Sequence, residues 1–194
     1  MRFTLLLLSI ATALPLAGPA STNNLIVNGS FEDASIKPGR YQDLPAGSPA
    51  IKGWTVTLNH IDYVGALWVA SDGKFSLDLE GSACNLRDTT SCLGGVKQTF
   101  PTDVGHTYNV SFDLAGNVFS GPKVKTIKVS AAGKDQTFTF DMTGRNVANM
   151  GWKTEQWSFT ATAATTTLEF DSADNTPGQS GWGPALDNVI VTSK

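Results

Sequence analysis

Apolar and polar residues alternate with a period of two through most of the chain. Tyr108, Val110, Phe112 and Leu114 fall on one face of 106–115, and Asn109, Ser111 and Asp113 on the other. Phe138 and Phe140 oppose Thr137, Thr139 and Asp141 in 137–141, and Trp157, Phe159 and Ala161 oppose Ser158 and Thr160 in 157–161. This is the pattern of strands with one buried and one wet face. Thr, Val and Phe, which suit strands, are abundant. Gly, Asn, Asp and Pro punctuate the runs at 45–49, 71–73, 101–105, 116–122, 133–135 and 173–184. No stretch has the length and periodicity of an amphipathic helix. Short strands at this spacing predict one all-β domain, a β-sandwich or jelly roll.

A faint internal echo runs through this pattern. Residues 98–117 and 157–175 each read strand, turn, strand, then Phe-Asp and an Asn a few residues later. The reading is two similar hairpins within one domain, too degenerate for a solenoid.

The first twenty residues stand apart. Arg2 gives a short positive start, the run around Leu5–Leu8 is apolar, and Gly18-Pro19-Ala20 offers small residues for cleavage. Residues 1–20 therefore read as a secretory signal peptide, with an apolar core too short for a membrane span, and 21–194 as the domain. Without Arg2 the chain has 13 basic and 17 acidic residues. A mildly acidic chain with no basic run does not suit nucleic acid, and no membrane partner is expected. The only cysteines are Cys84 and Cys92. In an oxidising compartment they are expected to form a disulfide across a short polar loop; two thiols without a nearby His would make half a zinc site.

The domain opens with N-L-I-V-N-G-S-F-E (24–32) and closes with G-P-A-L-D-N-V-I-V (183–191), both reading as strands. On spacing alone, Glu32 and Asp187 are two surface acids. These end motifs resemble those of jelly-roll carbohydrate-binding modules with one structural calcium. The whole domain is similar to the choice-of-anchor C family of secreted proteins and to the plant cell-wall family numbered 642 among domains of unknown function. The similarity runs through G-W-T-V (53–56), H-I-D-Y-V-G (60–65), W-V-A-S-D-G-K-F-S-L-D-L-E-G (68–81), G-G-V-K-Q-T-F (94–100), Y-N-V-S-F-D-L-A-G-N (108–117), M-G-W (150–152), W-S-F-T-A (157–161) and the closing motif. The resemblance implies a galactose-binding-like jelly roll, an extracellular place, and contacts with polysaccharide, cell-wall glycan or wall proteins. It also implies a structural Ca²⁺. Glu32 and Asp187 would supply carboxylates, and backbone carbonyls near Ser30 and from Asp72 to Lys74 would complete the shell. The chain stops at Lys194 with no hydrophobic tail or sorting motif, so free secretion, or retention through what it binds, is expected.

Catalytic motifs are not evident. Gly178-Gln179-Ser180-Gly181-Trp182 starts like a nucleophile elbow but ends in Trp. His60 and His106 lack metal-ligand spacing. Asp62, Asp78, Glu80, Asp113 and Asp171 are the acids a glycoside hydrolase could use, although Asp78 and Glu80 read as one wet strand face. Binding needs less: sugar rings stack on aromatic faces while Asp, Asn and Gln bond their hydroxyls. Trp182, in the Gly-rich loop before the last strand, is the first candidate platform, followed by Trp68 and Tyr63. Asp113 and Asn117 are the candidate polar contacts. Trp54 and Trp157 read as core. Asn28 and Asn109 each begin an N-glycosylation pattern. The expectation is a secreted, non-catalytic carbohydrate-binding module. The alternatives are an extracellular protein-binding wall or surface protein and a glycoside hydrolase.

Overall fold

The computed structural model describes residues 23–83, 92–174 and 181–194. The signal-peptide reading of 1–20 and Cys84, one of the two cysteines expected to pair, lie outside these residues. Eleven strands are described: β1 (Tyr41–Pro45), β2 (Thr55–Val56), β3 (His60–Val64), β4 (Ser76–Asp78), β5 (Gly95–Pro101), β6 (Thr107–Gly116), β7 (Val124–Ala131), β8 (Lys134–Asp141), β9 (Lys153–Thr160), β10 (Thr165–Ser172) and β11 (Pro184–Ser193). They form two sheets, six-stranded β1-β3-β4-β11-β6-β9 and five-stranded β2-β5-β10-β7-β8. Every pairing is antiparallel. No helix occurs among the described residues. This is the single-domain jelly-roll sandwich that the alternation predicts, with the facing sides of both sheets sharing one core.

The core follows the period-two positions. Tyr108, Val110, Phe112 and Leu114 are all buried, as are Phe138, Phe140 and Phe159. At its centre the Phe112 ring meets Phe170 at 5.1 Å and Phe138 at 5.2 Å, edge to face in both cases. Edge-to-face packing aims positive ring edges at negative faces and so adds to burial.

The internal echo has a different meaning from two hairpins. β5 and β10 lie in one sheet, β6 and β9 in the other. Each echo segment therefore crosses from one sheet to the other, and the two segments pair with each other, β5 with β10 and β6 with β9. The repeated Phe-Asp places Phe112 and Phe170 against one another across the core. Its acids, Asp113 and Asp171, point to opposite outer faces.

The opening segment is also not the regular strand expected. Asn28 and Phe31 have left-handed backbones, with φ of 57° and 61°, which ends extended structure locally. The Asn28 amide stabilises its bend by bonding Asp33 O at 2.8 Å and Lys52 O at 3.0 Å. The segment nonetheless lies beside β11: Leu25 N donates to Val191 O at 2.8 Å, and Val189 N to Gly29 O at 2.9 Å. It occupies the flank that β4 leaves open, since β4 pairs with β11 only at Ala185 and Leu186. The two ends of the domain are thus side by side.

Candidate functional site

The six-stranded sheet turns an unusual face outward. Register places Asp43 opposite Asp62, Asp62 opposite Asp78, Asp78 opposite Ala185, and Ala185 opposite Ala115. Directly opposite residues share a face, so three aspartates stand in one row. Like charges in such a row repel, and burial sharpens the cost. Yet Asp62, Asp78 and Glu80 are all buried. This corrects the wet-face reading of Asp78 and Glu80. The acids are roofed by loops that donate to them.

The donors are specific. Ser82 bonds Asp62 Oδ1 through its N–H and its hydroxyl, both at 3.0 Å. Asp78 receives Gly183 N at 2.9 Å, Glu80 N at 3.1 Å and Asn117 Nδ2 at 2.7 Å. Glu80 receives Ser172 Oγ at 2.9 Å and Gly181 N at 3.2 Å. Trp182 is therefore held by a carboxylate on each side. Its own carbonyl accepts from the ammonium of Lys125, which also bonds Ser120 O at 3.1 Å. Lys125 occupies the buried phase of β7, with Ile127 and Val129, and is itself wholly buried. It passes directly over Gly116, where a Cβ would lie 2.5 Å from Lys125 Cγ. Only glycine leaves that passage open.

These loops surround a cavity of about 280 Å³. Tyr41, Phe119 and Trp182 are its aromatic walls, Arg40 and Asn117 contribute polar groups, and Asp62 lies on the sheet beneath. Tyr41 and Phe119 are exposed, at 44% and 51%, and Trp182 is partly so. Two of the expected ligand residues, Trp182 and Asn117, meet here. Asn117 is buried, with Oδ1 accepting from Phe119 N at 3.0 Å, so it shapes the aromatic loop from within.

The other expected contacts are elsewhere. Tyr63 and Trp68 are not exposed platforms. Tyr63 lies wholly in the core on the inward phase of β3, donating to Phe31 O at 2.7 Å. Trp68 folds onto the outer face of β4 and donates from Nε1 to Ser76 Oγ at 2.9 Å. Asp113 does face away from the core, but it is buried by Ser71 Oγ and Thr154 Oγ1, each at 2.6 Å, and by Asn188 Nδ2 at 3.1 Å. Trp54 is core, and Trp157 only partly buried. Arg40, Tyr41 and Phe119 were not singled out by the sequence, although Phe119 is an aromatic in a turn-rich loop. Lys125 was readable as a charge in a buried phase.

The two acids expected to hold calcium both bond one loop. Glu32 Oε1 accepts from Lys74 N at 2.7 Å and Phe75 N at 2.8 Å. Asp187 Oδ2 accepts from Ser71 N at 2.8 Å and Asp72 N at 2.9 Å, and Oδ1 from Asn188 N at 2.7 Å. Both carboxylates thus grip the loop 71–75. Gly73, with φ of 65°, sits so close that a Cβ would lie 2.5 Å from Glu32 Cδ. The loop presents N–H groups to both acids, and no group of three or more acid, His or Cys side chains suited to a metal occurs among the described residues. Any calcium shell would have to be filled by carbonyls, including those near Ser30, Asp72 and Lys74.

Residues 24–192 match the family described as protein of unknown function (DUF642). The chain belongs to DUF642. It is also similar to halomucin of Haloquadratum walsbyi (strain DSM 16790 / HBSQ001), 30% identical over 176 residues, covering 89% of this chain and 2% of halomucin. This DUF642 chain thus spans only a small fraction of that relative. Among solved structures it resembles TmCBM61 in complex with β-1,4-galactotriose, with a TM-score of 0.50 and 15% identity over 89% of this chain and 100% of that one. It also resembles part of the arabinose-bound α-L-arabinofuranosidase MgGH51, with a TM-score of 0.54 and 12% identity over 88% of this chain and 26% of that one. At these identities the likeness is one of fold.

The roofed acids give this DUF642 domain a pH-sensitive stability. Burial pushes Asp62 up to about 6, against the pull of the Ser82 bonds. It pushes Glu80 and Asp187 up to about 7, and Asp78 well above the usual carboxylate range. Burial also lowers Lys125, while Asp174, Asp78 and Glu80 favour its charge. A raised carboxylate pKa means that the folded state binds the proton more tightly than the unfolded chain. The resulting stability is present below the unfolded value, near 4, and is lost as pH rises through about 6–7. In chelator, thermal midpoints should therefore fall between pH 5 and pH 8, and Asp62→Asn should reduce the fall. A midpoint that rises across this range would contradict the assignment.

Proposed function

We propose that this chain is a secreted, non-catalytic module that binds polysaccharide or cell-wall glycan in the cavity of Tyr41, Phe119 and Trp182. The observation that carries this reading is three aromatic side chains gathered around one buried carboxylate. Ring faces take the apolar faces of a sugar, and the carboxylate accepts from its hydroxyls. The ligands of the similar structures, β-1,4-galactotriose and arabinose, support a glycan as the occupant. A binding role also suits the acids. Among the described residues Asp62 is the one carboxylate lining the cavity, whereas Asp78 and Glu80 are committed to loop donors. Hydrolysis would need two acids facing the scissile bond. On a glycan array, Trp182→Ala and Phe119→Ala should each lower binding several-fold, because an aromatic contact contributes on the order of 1 kcal/mol beyond area burial. Unchanged binding by both folded variants would remove the cavity from this function.

A structural calcium belongs to the same reading. Held by Glu32, Asp187 and neighbouring carbonyls, it would tie the opening segment and the loop 71–75 to β11. Extracellular sites often have Kd values of roughly 0.1–1 mM. At about 2 mM free calcium the stabilisation is then ~0.6–1.8 kcal/mol. Chelation should lower the thermal midpoint by a few degrees, and Glu32→Gln should abolish the difference. Equal midpoints in chelator and in millimolar calcium would argue for the amide-bonded corner standing without a cation.

Secretion would also set the state of the thiols. Cys92 is buried, and oxidation with Cys84 would close a short covalent loop. Alkylation of the secreted protein without reductant should leave both cysteines unmodified by mass spectrometry. Two labelled thiols would overturn the disulfide.

A further inference from the structure

We propose that Asn109 is an N-glycan acceptor, and that Asn28, which begins the same sequence pattern, is not. This rests on the secretory reading of the chain, because sugars are added at this pattern to secreted proteins. In the transfer, Asn109 Nδ2 attacks the anomeric carbon of a lipid-diphosphate-linked oligosaccharide. The new C–N bond replaces the C–O bond to the lipid diphosphate, which leaves as the anion. The proton lost from Nδ2 passes to a base of the transferring enzyme.

The first observation is how β6 presents the pattern. Asn109 and Ser111 are two residues apart on this strand, so the acceptor amide and the hydroxyl share its outer face. Their directly opposite neighbours are Thr192 and Ile190 on β11, and Ser158 and Gln156 on β9. Asn109 is exposed, and among the described residues no group bonds its side chain. These residues line a hollow of about 740 Å³, in which no side-chain carboxylate occurs among the described residues and Lys194 is the one charged side chain. Amides and hydroxyls can bond the hydroxyl and N-acetyl groups of the first sugars, which therefore rest on this face without burying an unpaired charge.

The second observation is that the fold consumes the other copy of the pattern, Asn28-Gly29-Ser30. Asn28 has a left-handed backbone, with φ of 57°. Both N–H groups of its Nδ2 are committed, to Asp33 O at 2.8 Å and Lys52 O at 3.0 Å, while Oδ1 accepts from Asp33 N at 2.9 Å. A glycan would replace one of those N–H groups and push a sugar into the backbone it bonds. Gly29 beside it is buried, and a Cβ there would strike Val189 O, so the bend cannot shift to make room. A chain modified at Asn28 is therefore barred from this packing.

The third observation is position. Asn109 precedes Asn117 by eight residues, roughly 26 Å at ~3.3 Å per residue of strand. The point of attachment thus stands away from the cavity of Tyr41, Phe119 and Trp182.

The full chain secreted by cultured eukaryotic cells tests this. Its intact mass should exceed that of the polypeptide by one glycan, which peptide N-glycosidase removes. Tandem mass spectrometry of the treated protein should find the conversion of Asn to Asp at position 109 alone. Ser111→Ala, which leaves Asn109 in place, should abolish the added mass, and Ser30→Ala should leave it unchanged. Asn109→Gln provides a second variant should Ser111→Ala not be secreted. Secreted protein with Asn109 unmodified, or with a glycan at Asn28, would overturn the proposal and leave secretion standing. Chain held in the cytosol with residues 1–20 still attached would overturn the secretory reading and this proposal together.

Discussion

Buried carboxylates on the outer face of the six-stranded sheet organise much of this molecule. Asp62, Asp78, Asp113 and Asp187 there, and Glu80 just past the end of β4, are each buried and need hydrogen-bond donors in place of water. Many of those donors come from loops, and Thr154, Ser172 and Asn188 add donors from strands. The loop residues Ser82, Gly181 and Gly183 serve the acids at one end of the face, and Ser71 and Asp72 those at the other. Segments that a jelly roll would otherwise leave free to vary are thereby fixed against its strands.

The two ends of this face have different consequences. At the Asp187 end the carboxylates are covered and joined to the opening segment, so the corner links the first and last parts of the domain. At the Asp62 end the roof is incomplete, and the gap becomes a cavity with aromatic walls. Lys125 connects the two layers there: it rises from the five-stranded sheet past Gly116 and holds the carbonyl of Trp182. An ammonium buried so deeply is stabilised by the acids around it, and its reach fixes the backbone of a cavity wall. The cavity is in this sense a by-product of satisfying buried charge.

The sequence made the fold legible because its information is local and repeated. Phe112, Phe138, Phe159 and their alternating partners must all face one way, and a one-residue slip in any strand would put them in water. The ordered motifs from G-W-T-V to G-P-A-L-D-N-V likewise identified the DUF642 relationship. What the same pattern could not convey was which outer faces are wet. Asp78 and Glu80 alternate with Leu77 and Leu79 as a solvent-facing strand would, and become buried only because segments more than thirty residues away fold over them.

The site was therefore legible only in part. Trp182 stood out in a Gly-rich loop, and Asn117 at the end of a strand, and both reach the cavity. Trp68 and Tyr63 did not, since the sequence does not say that the loop after β3 turns back onto Ser76 or that the Tyr63 hydroxyl finds Phe31 O. Asp62, Arg40 and Phe119 come from separate parts of the chain, and nothing in their own surroundings marks them as neighbours. By itself the sequence determined the strands, the inward-facing core and the family, because each depends on side-chain period and order along the chain. Tertiary structure alone decided which acids are buried and which aromatics line the cavity. Burial on the outer face depends on long-range loop closure, which brings donors from distant segments to carboxylates that cannot remain without them.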